Sequence, residues 1–104
     1  MHTPVEHFAV LLLRALTAGD PRATHLQARV RGKTATIGIT DDGVWVPLLR
    51  LSAPSAAANV MNLDARQGNG WAPTFERGTP AILAEKLLGP LAFTWVIEVD
   101  ASFA

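Results

Sequence analysis

Three short strand-like segments, separated by turn signals, constrain the fold of this 104-residue chain most strongly, and two of them alternate polar and apolar residues. In the first, residues 25–33, every second residue is polar and the alternates are Leu26, Ala28 and Val30. Residues 34–40 continue the alternation, and Asp41-Asp42-Gly43 is a hairpin turn signal. Residues 44–51 are apolar on both faces except at Arg50, and Pro47 predicts an edge strand or a β-bulge. Because period-two alternation is typical of half-buried strands, these segments predict an antiparallel meander.

Two other segments have helical patterns. The first covers residues 5–16, with Thr3 and Pro4 as its start signal and Gly19 as the residue that ends it in a left-handed conformation. The second covers residues 81–88, between the start signal Thr79-Pro80 and the stop signal Gly89-Pro90.

The middle and the end of the chain complete the prediction. Residues 52–66 favour a short helix with Ala56, Val60 and Leu63 on one face, and the alternative is a hairpin about Asn69-Gly70. Residues 91–100 alternate and predict a last strand that places Trp95 in the core. We therefore expect one α+β domain over residues 1–104. Its antiparallel sheet has about four strands, with helices packed on one face, in the order α-β-β-β-(α)-α-β.

The order helix, three strands, helix resembles that of a double-stranded RNA-binding domain. The resemblance is in topology only, because that module carries a lysine cluster at the start of its last helix. This chain has Thr-Pro-Ala-Ile-Leu-Ala-Glu at residues 79–85 instead, so no residue role is carried over.

Composition limits the classes of partner and compartment. Nine Lys and Arg balance nine Asp and Glu, so no global field directs the chain to nucleic acid or anionic lipid. Cysteine is absent, which excludes disulfides and thiolate sites and fits a reducing cytoplasm. The apolar run at residues 8–13 is far shorter than the roughly 20 residues of a membrane span, so we expect no membrane association. The alanine- and arginine-rich composition favours a bacterial protein.

The first strand carries one candidate binding surface. Its polar residues are spaced by two and should project from the solvent face, where Arg and Lys can hold phosphates. The alternative is that Glu98 and Asp100, on a neighbouring last strand, neutralise this face through cross-strand pairs. The candidate residues for nucleic-acid or anion binding are His25, Gln27, Arg29, Arg31 and Lys33.

A second candidate is the polar segment 59–76, interpreted as a long loop that contacts a ligand or partner. Its amides, charges and two aromatic rings suit a peptide or small ligand. The alternative is a surface loop whose two rings fill the core below it. The candidate residues are Asn62, Asp64, Arg66, Trp71 and Phe75.

Self-association is the third expectation. Val10, Leu11 and Leu13 widen the apolar stripe of the first helix to most of its circumference, and the charged fraction of 17% is low. A helix that is apolar nearly all round is buried on more than one side, so a homodimer is favoured.

Catalysis has no supporting motif. No His-Glu-x-x-His, Gly-x-Ser-x-Gly or phosphate-loop pattern is present, and we predict no catalytic residues, metal or cofactor. The expected function is that of a non-enzymatic, self-associating interaction module of the cytoplasm. Its expected partner is a second copy of the chain, and another protein is the further candidate. The alternatives are nucleic-acid or anion binding through the first strand and a ligand site in segment 59–76.

Overall fold

The chain folds into a five-stranded sheet with three α-helices, as seen in a computed structural model that describes residues 4–54 and 59–103. The elements in order are α1 (Pro4–Gly19), a 3-10 helix (Pro21–His25), β1 (Gln27–Arg31), β2 (Thr34–Asp41), β3 (Val44–Ser52), β4 (Met61–Gln67), β5 (Gly70–Gly78), α2 (Pro80–Leu88) and α3 (Phe93–Phe103). The α+β class and the antiparallel sheet are confirmed, with five strands where about four were predicted.

The sheet is an antiparallel meander in which every strand pairs with its neighbour in sequence. Two-residue turns join β1 to β2, β2 to β3 and β4 to β5. At the second turn Asp42 and Gly43 both have positive φ, 52° and 78°. This is the type I′ geometry that matches strand twist, so the predicted hairpin at Asp41-Asp42-Gly43 is confirmed.

The middle of the chain adopts the hairpin alternative. Met61–Gln67 and Gly70–Gly78 are paired strands whose turn is Gly68-Asn69, one residue earlier than predicted. Val60 and Leu63 are therefore not on a helix, since Leu63 is a buried residue of β4. Ala56 lies outside the described residues, as does Thr3, the predicted cap of the first helix.

The segment predicted as the last strand is the helix α3. Trp95 is nevertheless fully buried, as predicted, and its indole Nε1 donates a hydrogen bond of 2.9 Å to the Leu87 carbonyl of α2. Phe93 and Ile97, expected inward with Trp95, are 63% and 62% exposed. The reason is geometric: residues two apart lie on one side of a strand but about 200° apart around a helix.

The core lies between one face of the sheet and the helices. α1 contacts β1 and β2, α2 contacts β5, and α3 contacts β2 and β3. Alternate strand residues such as Ile37, Leu49 and Leu63 are buried against Leu12 of α1 and Leu87 of α2. The C-terminal end of α1 packs on α2, where the Leu88 side chain lies close to the Cα of Gly19. Gly19 does not have positive φ, so its predicted left-handed conformation is wrong.

A β-bulge accommodates Pro47 in the central strand β3. The register shifts between Ile37 and Gly38, so that Gly38 faces Pro47, Ile37 faces Leu49, and Leu48 is left without a partner. The predicted bulge at Pro47 is therefore confirmed, whereas the edge position is wrong because β3 is the middle strand.

Charged and aromatic contacts attach the end of α3 to the 3-10 helix. Arg22 forms ion pairs with Asp20 at 2.7 Å and with Asp100 at 2.9 Å. The rings of His25 and Phe103 stack with their centroids 4.0 Å apart. Within residues 4–54 and 59–103, no helix has the length and apolar character needed to cross a membrane.

Candidate functional site

The helix-free side of the sheet, which we call the open face, collects the strand arginines. The register puts Arg29, Thr36, Arg50 and Asp64 in one row across β1 to β4, and Arg31, Thr34, Ser52, Asn62 and Arg77 in another. Arg66 lies two residues from Asp64 and therefore on the same side. Of the charged residues on this face, five are arginines and one is an aspartate: Arg29, Arg31, Arg50, Arg66, Arg77 and Asp64.

The acids that were expected to neutralise this face lie elsewhere. Glu98 and Asp100 are on α3, where Asp100 pairs with Arg22 and Glu98 borders a cleft that Arg66 also borders. The predicted cross-strand pairs are therefore wrong, because residues 91–100 do not form a strand. Asp41 and Glu76 alternate with open-face residues and so point to the helix side.

The guanidinium of Arg29 on β1 lies over the ring of Trp45 on β3. Its guanidinium carbon is 4.0 Å from the centroid of the Trp45 ring, although β2 separates the two strands. Between them on β2 is Gly38, which has no side chain to block the contact. The contact with Arg29 thus shows that Trp45 lies on the open face.

A second stack lies near the β4–β5 hairpin. The guanidinium carbons of Arg50 and Arg66 are 5.1 Å and 5.7 Å from the Trp71 ring centroid. Asp64 accepts hydrogen bonds from Nε and Nη2 of Arg50 at 3.1 Å and 2.8 Å and so fixes its orientation. Arg66 donates from Nε to the Gly68 carbonyl at 2.8 Å. The open face therefore has two tryptophans, each contacted by a guanidinium.

The five residues predicted on the first strand do not all share one surface. Gln27, Arg29 and Arg31 are exposed on the open face, and Gln27 Oε1 accepts a hydrogen bond from the Thr40 hydroxyl. Lys33 is in the turn that follows β1. His25 belongs to the 3-10 helix and stacks on Phe103, beside the helix layer.

The five candidates of segment 59–76 lie on a hairpin rather than a loop. Asn62, Asp64, Arg66 and Trp71 are open-face residues of β4 and β5, so Trp71 does not fill the core. Phe75 is 91% exposed at a bulge of β5 and borders a shallow depression of about 590 Å³ with Asn62 and Arg77. Neither the Trp71 ring nor the Phe75 ring fills the core. The other four candidates, including Trp71, extend the open face that begins on β1.

The self-association candidates on α1 divide between two sides. Val10 and Leu13 border a recess of about 530 Å³ together with Ala23 and Leu26. Leu11 borders another, of about 390 Å³, near Thr79. The exposed fractions of Val10 and Leu11 are 43% and 38%, and Leu13 is half-buried.

A cleft separates the two hairpins at their turn ends. β3 pairs with β4 only at residues 49–52 and 62–65, so the hairpins diverge toward their turns. The cleft has a volume of about 590 Å³ and is bordered by Trp45, Leu48, Ala65, Arg66, Phe93 and Ile97. It places the exposed apolar residues of α3 beside the edge of the open face.

Groups with shifted pKa values lie outside the open face. A hydrogen bond from Arg22 lowers the pKa of the Asp20 carboxyl, and the Asp20 and Asp100 carboxylates raise the pKa of the Arg22 guanidinium. In the described part of the chain, no group of three His, Asp or Glu side chains has metal-binding geometry. The guanidinium and indole groups of the open face can hold anions and planar groups.

Sequence reasoning missed Arg50 and Arg77 as members of this surface, and it offered Trp45 as a stacking group without fixing its face. Arg50 was visible as the lone charge in an apolar strand, a signal that could have placed it on the solvent side. Arg77 was missed because its segment was not interpreted as a strand. Comparison of the chain with protein-family models, with curated proteins and with solved structures finds no match, so these residues and their geometry are the basis for a function.

Proposed function

We propose that this chain is a non-enzymatic, cytoplasmic binding module that holds the phosphate backbone of nucleic acid on its open face. The observation that carries the proposal is the presence of five arginines against one aspartate on this face. Arginine presents planar, fixed donors that match phosphate oxygens, and phosphate contacts supply most non-specific affinity for nucleic acid.

Most of these arginines are available to a ligand. Among the described residues, only Arg50 of the five has a carboxylate partner, and that partner is Asp64. Thr36, Ser52 and Asn62 lie in the same rows and add neutral donors for phosphate. Four strand spacings make the face about 20 Å wide, which is enough for several phosphates.

The distribution of charge supports the proposal better than the net charge does. The whole chain is formally neutral, yet Glu85, Glu98 and Asp100 are on the helices and the strand arginines face away from them. An anion that approaches the centre of the open face meets a local positive field, because the sheet lies between it and the helices that carry those acids.

The test is a salt titration of oligonucleotide binding, by fluorescence anisotropy with a labelled 12-mer. If the four arginines without a carboxylate partner each contact one phosphate, log K should fall with log [salt] at a slope of roughly −3. Arg29→Gln with Arg31→Gln should weaken binding at least about tenfold at 0.1 M salt and reduce that slope by about one to two.

The matched control is Arg14→Gln with Lys86→Gln, which removes the same two charges from the helices. This variant should bind as the unchanged protein does. Equal losses in both variants would mean that net charge alone determines binding. Binding that does not depend on salt, or no binding at all, would contradict the proposal.

Self-association is a second candidate function, favoured by the apolar surface on α3. Phe93 and Ile97 lie one turn apart and are both mostly exposed, which gives the helix layer a wider uncovered apolar surface than α1 alone provides. A second copy of the chain docking here would leave the open face accessible. Light scattering should then report a dimer that Ile97→Glu converts to a monomer, and a monomeric unchanged protein would exclude this candidate.

A further inference from the structure

We infer that the ligand of the open face is single-stranded nucleic acid, whose bases stack on the two arginine–tryptophan pairs. This inference rests on the proposed function, because it specifies which nucleic acid the same face binds. It is carried by the stacks rather than by the charges.

The first pair already has the geometry of a stack. The guanidinium carbon of Arg29 lies 4.0 Å over the Trp45 ring centroid, and Arg29 is an exposed residue that a ligand can reach. Unpaired bases stack on guanidinium planes as well as on aromatic rings. A base laid on Arg29 would therefore form a three-layer stack of base, guanidinium and indole, without displacing any existing contact.

The second pair provides another planar position at a suitable distance. Both Arg50 and Arg66 contact the Trp71 ring, and the Asp64 carboxylate fixes the orientation of the Arg50 guanidinium. Trp45 and Trp71 are on β3 and β5, and Arg66, which contacts the Trp71 ring, borders the same cleft as Trp45. Stacked nucleotides advance about 3.4 Å each along one strand, so one strand a few nucleotides long can reach both positions.

A duplex does not fit these features. Its bases are paired and stacked on one another, so they have no free face for Arg29 or Trp71. The major groove admits a helix or a two-stranded ribbon, whereas this face is five strands wide. A duplex would contact the arginines through phosphates alone.

The experiment compares the single strand with an abasic strand of equal charge and with a duplex that carries more phosphates, and it compares variants of equal charge. The ligands are a labelled 12-nucleotide single strand, its duplex, and an abasic strand of the same length. Because one stacked base contributes the equivalent of about 5- to 150-fold in affinity, the single strand should bind at least about tenfold more tightly than the other two at the same salt. Binding of the single strand should also quench tryptophan fluorescence.

The deciding variant is Arg29→Lys, which keeps the charge and loses the planar stack. It should weaken binding of the single strand about tenfold and leave binding of the abasic strand unchanged. Arg31→Lys is the matched control, since no described aromatic ring contacts Arg31, and it should change neither. Circular dichroism should show both variants folded.

The outcomes separate this inference from the proposed function. If single, double and abasic strands bind equally and Arg29→Lys has no effect, the stacking inference is wrong and phosphate binding stands. If no strand binds, both are wrong. If vesicles containing phosphatidylserine bind and no oligonucleotide does, the face recognises a membrane surface and both are likewise wrong.

Discussion

At the scale of single residues, Phe75 has a backbone conformation that its side chain disfavours. Its φ is 64°, in the left-handed region, and the ring is 91% exposed. The Thr74 hydroxyl stabilises the bulge by donating to the Leu63 carbonyl at 2.7 Å and accepting from the Glu76 amide at 3.1 Å. A strained, exposed aromatic residue beside Asn62 and Arg77 marks this bulge as a position to test for a role on the open face.

We expect Phe75→Gly to increase the free energy of unfolding. Glycine removes a left-handed penalty of about 1–2 kcal/mol, and its greater freedom in the unfolded chain offsets about 0.5–1 kcal/mol. The net gain should be about 0.5–1 kcal/mol in urea denaturation. Val44→Gly is the control, because Val44 is also exposed but has no positive φ, and it should lose about 0.5–1 kcal/mol. A loss in both variants would mean that the Phe75 ring packs on something.

Gly38 shows what sequence patterns can and cannot predict about one residue. Alternation placed it correctly within the second strand, and Pro47 correctly predicted a bulge opposite. The pattern could not show that the two meet, because the register of a bulged pair depends on tertiary packing. A Cβ on Gly38 would collide with the Val46 carbonyl and lie 2.9 Å from the Pro47 Cα.

Gly38→Ala should therefore destabilise the protein by about 3 kcal/mol, the upper end for overpacking, since the neighbouring atoms are backbone and cannot rotate away. Thermal and urea unfolding measure this loss. Gly70→Ala is the matched control, because its nearest contact would be the Gln67 carbonyl at 3.9 Å. A loss below about 1 kcal/mol would show that the bulge can relax.

At the scale of elements, α3 is where sequence interpretation failed. Aromatic and β-branched residues at 93, 95, 97 and 99 fit a strand, and they also fit a helix that buries only Trp95 and Val99. Short apolar runs do not distinguish the two periods, so packing decides. Here the Trp95 indole donates a hydrogen bond to the Leu87 carbonyl at the end of α2, and backbone hydrogen bonds from Leu91 to Lys86 and from Ala92 to Gly89 close the turn between the two helices, which favours the helix. The capped helix α2, by contrast, was predictable because Thr79 and Pro80 are local signals.

A pair of truncations distinguishes the helix from a strand. Trp95→Ala removes a fully buried ring and its hydrogen bond, and should cost about 3–5 kcal/mol of unfolding free energy. Phe93→Ala, two residues earlier, should cost less than about 1 kcal/mol because that ring is mostly exposed. In a strand both rings would face the core, so similar large costs for both would contradict the helical assignment.

At the scale of the whole molecule, the amino-acid composition could not predict that positive and negative charges are separated between the two faces. The counts of acids and bases balance, and the basic character of β1 was visible from spacing alone. What remained hidden was the side of the sheet on which Glu98 and Asp100 lie, because that depended on α3 being a helix in the layer opposite the arginines. One error in an element therefore hid the most distinctive property of the surface.

This separation of charge predicts that the protein, which is formally neutral, binds both to cation-exchange and to anion-exchange resins at pH 7. At an ionic strength of about 0.1 M the Debye length is about 10 Å, shorter than the smallest dimension of the molecule, 25 Å. A resin then interacts with the face that it contacts rather than with the net charge. We expect retention on a sulfonate resin through the open face and on a quaternary ammonium resin through the helix layer.

Removal of the exposed acids Glu85 and Glu98 tests this expectation. Glu85→Gln with Glu98→Gln should lower the salt needed for elution from the ammonium resin and leave elution from the sulfonate resin unchanged. Arg29→Gln with Arg31→Gln should do the reverse, because those arginines lie across the sheet from the helices. If each variant instead shifted on both resins, in the direction of its net charge, the two faces would not act independently and the local field on which nucleic-acid binding depends would be absent.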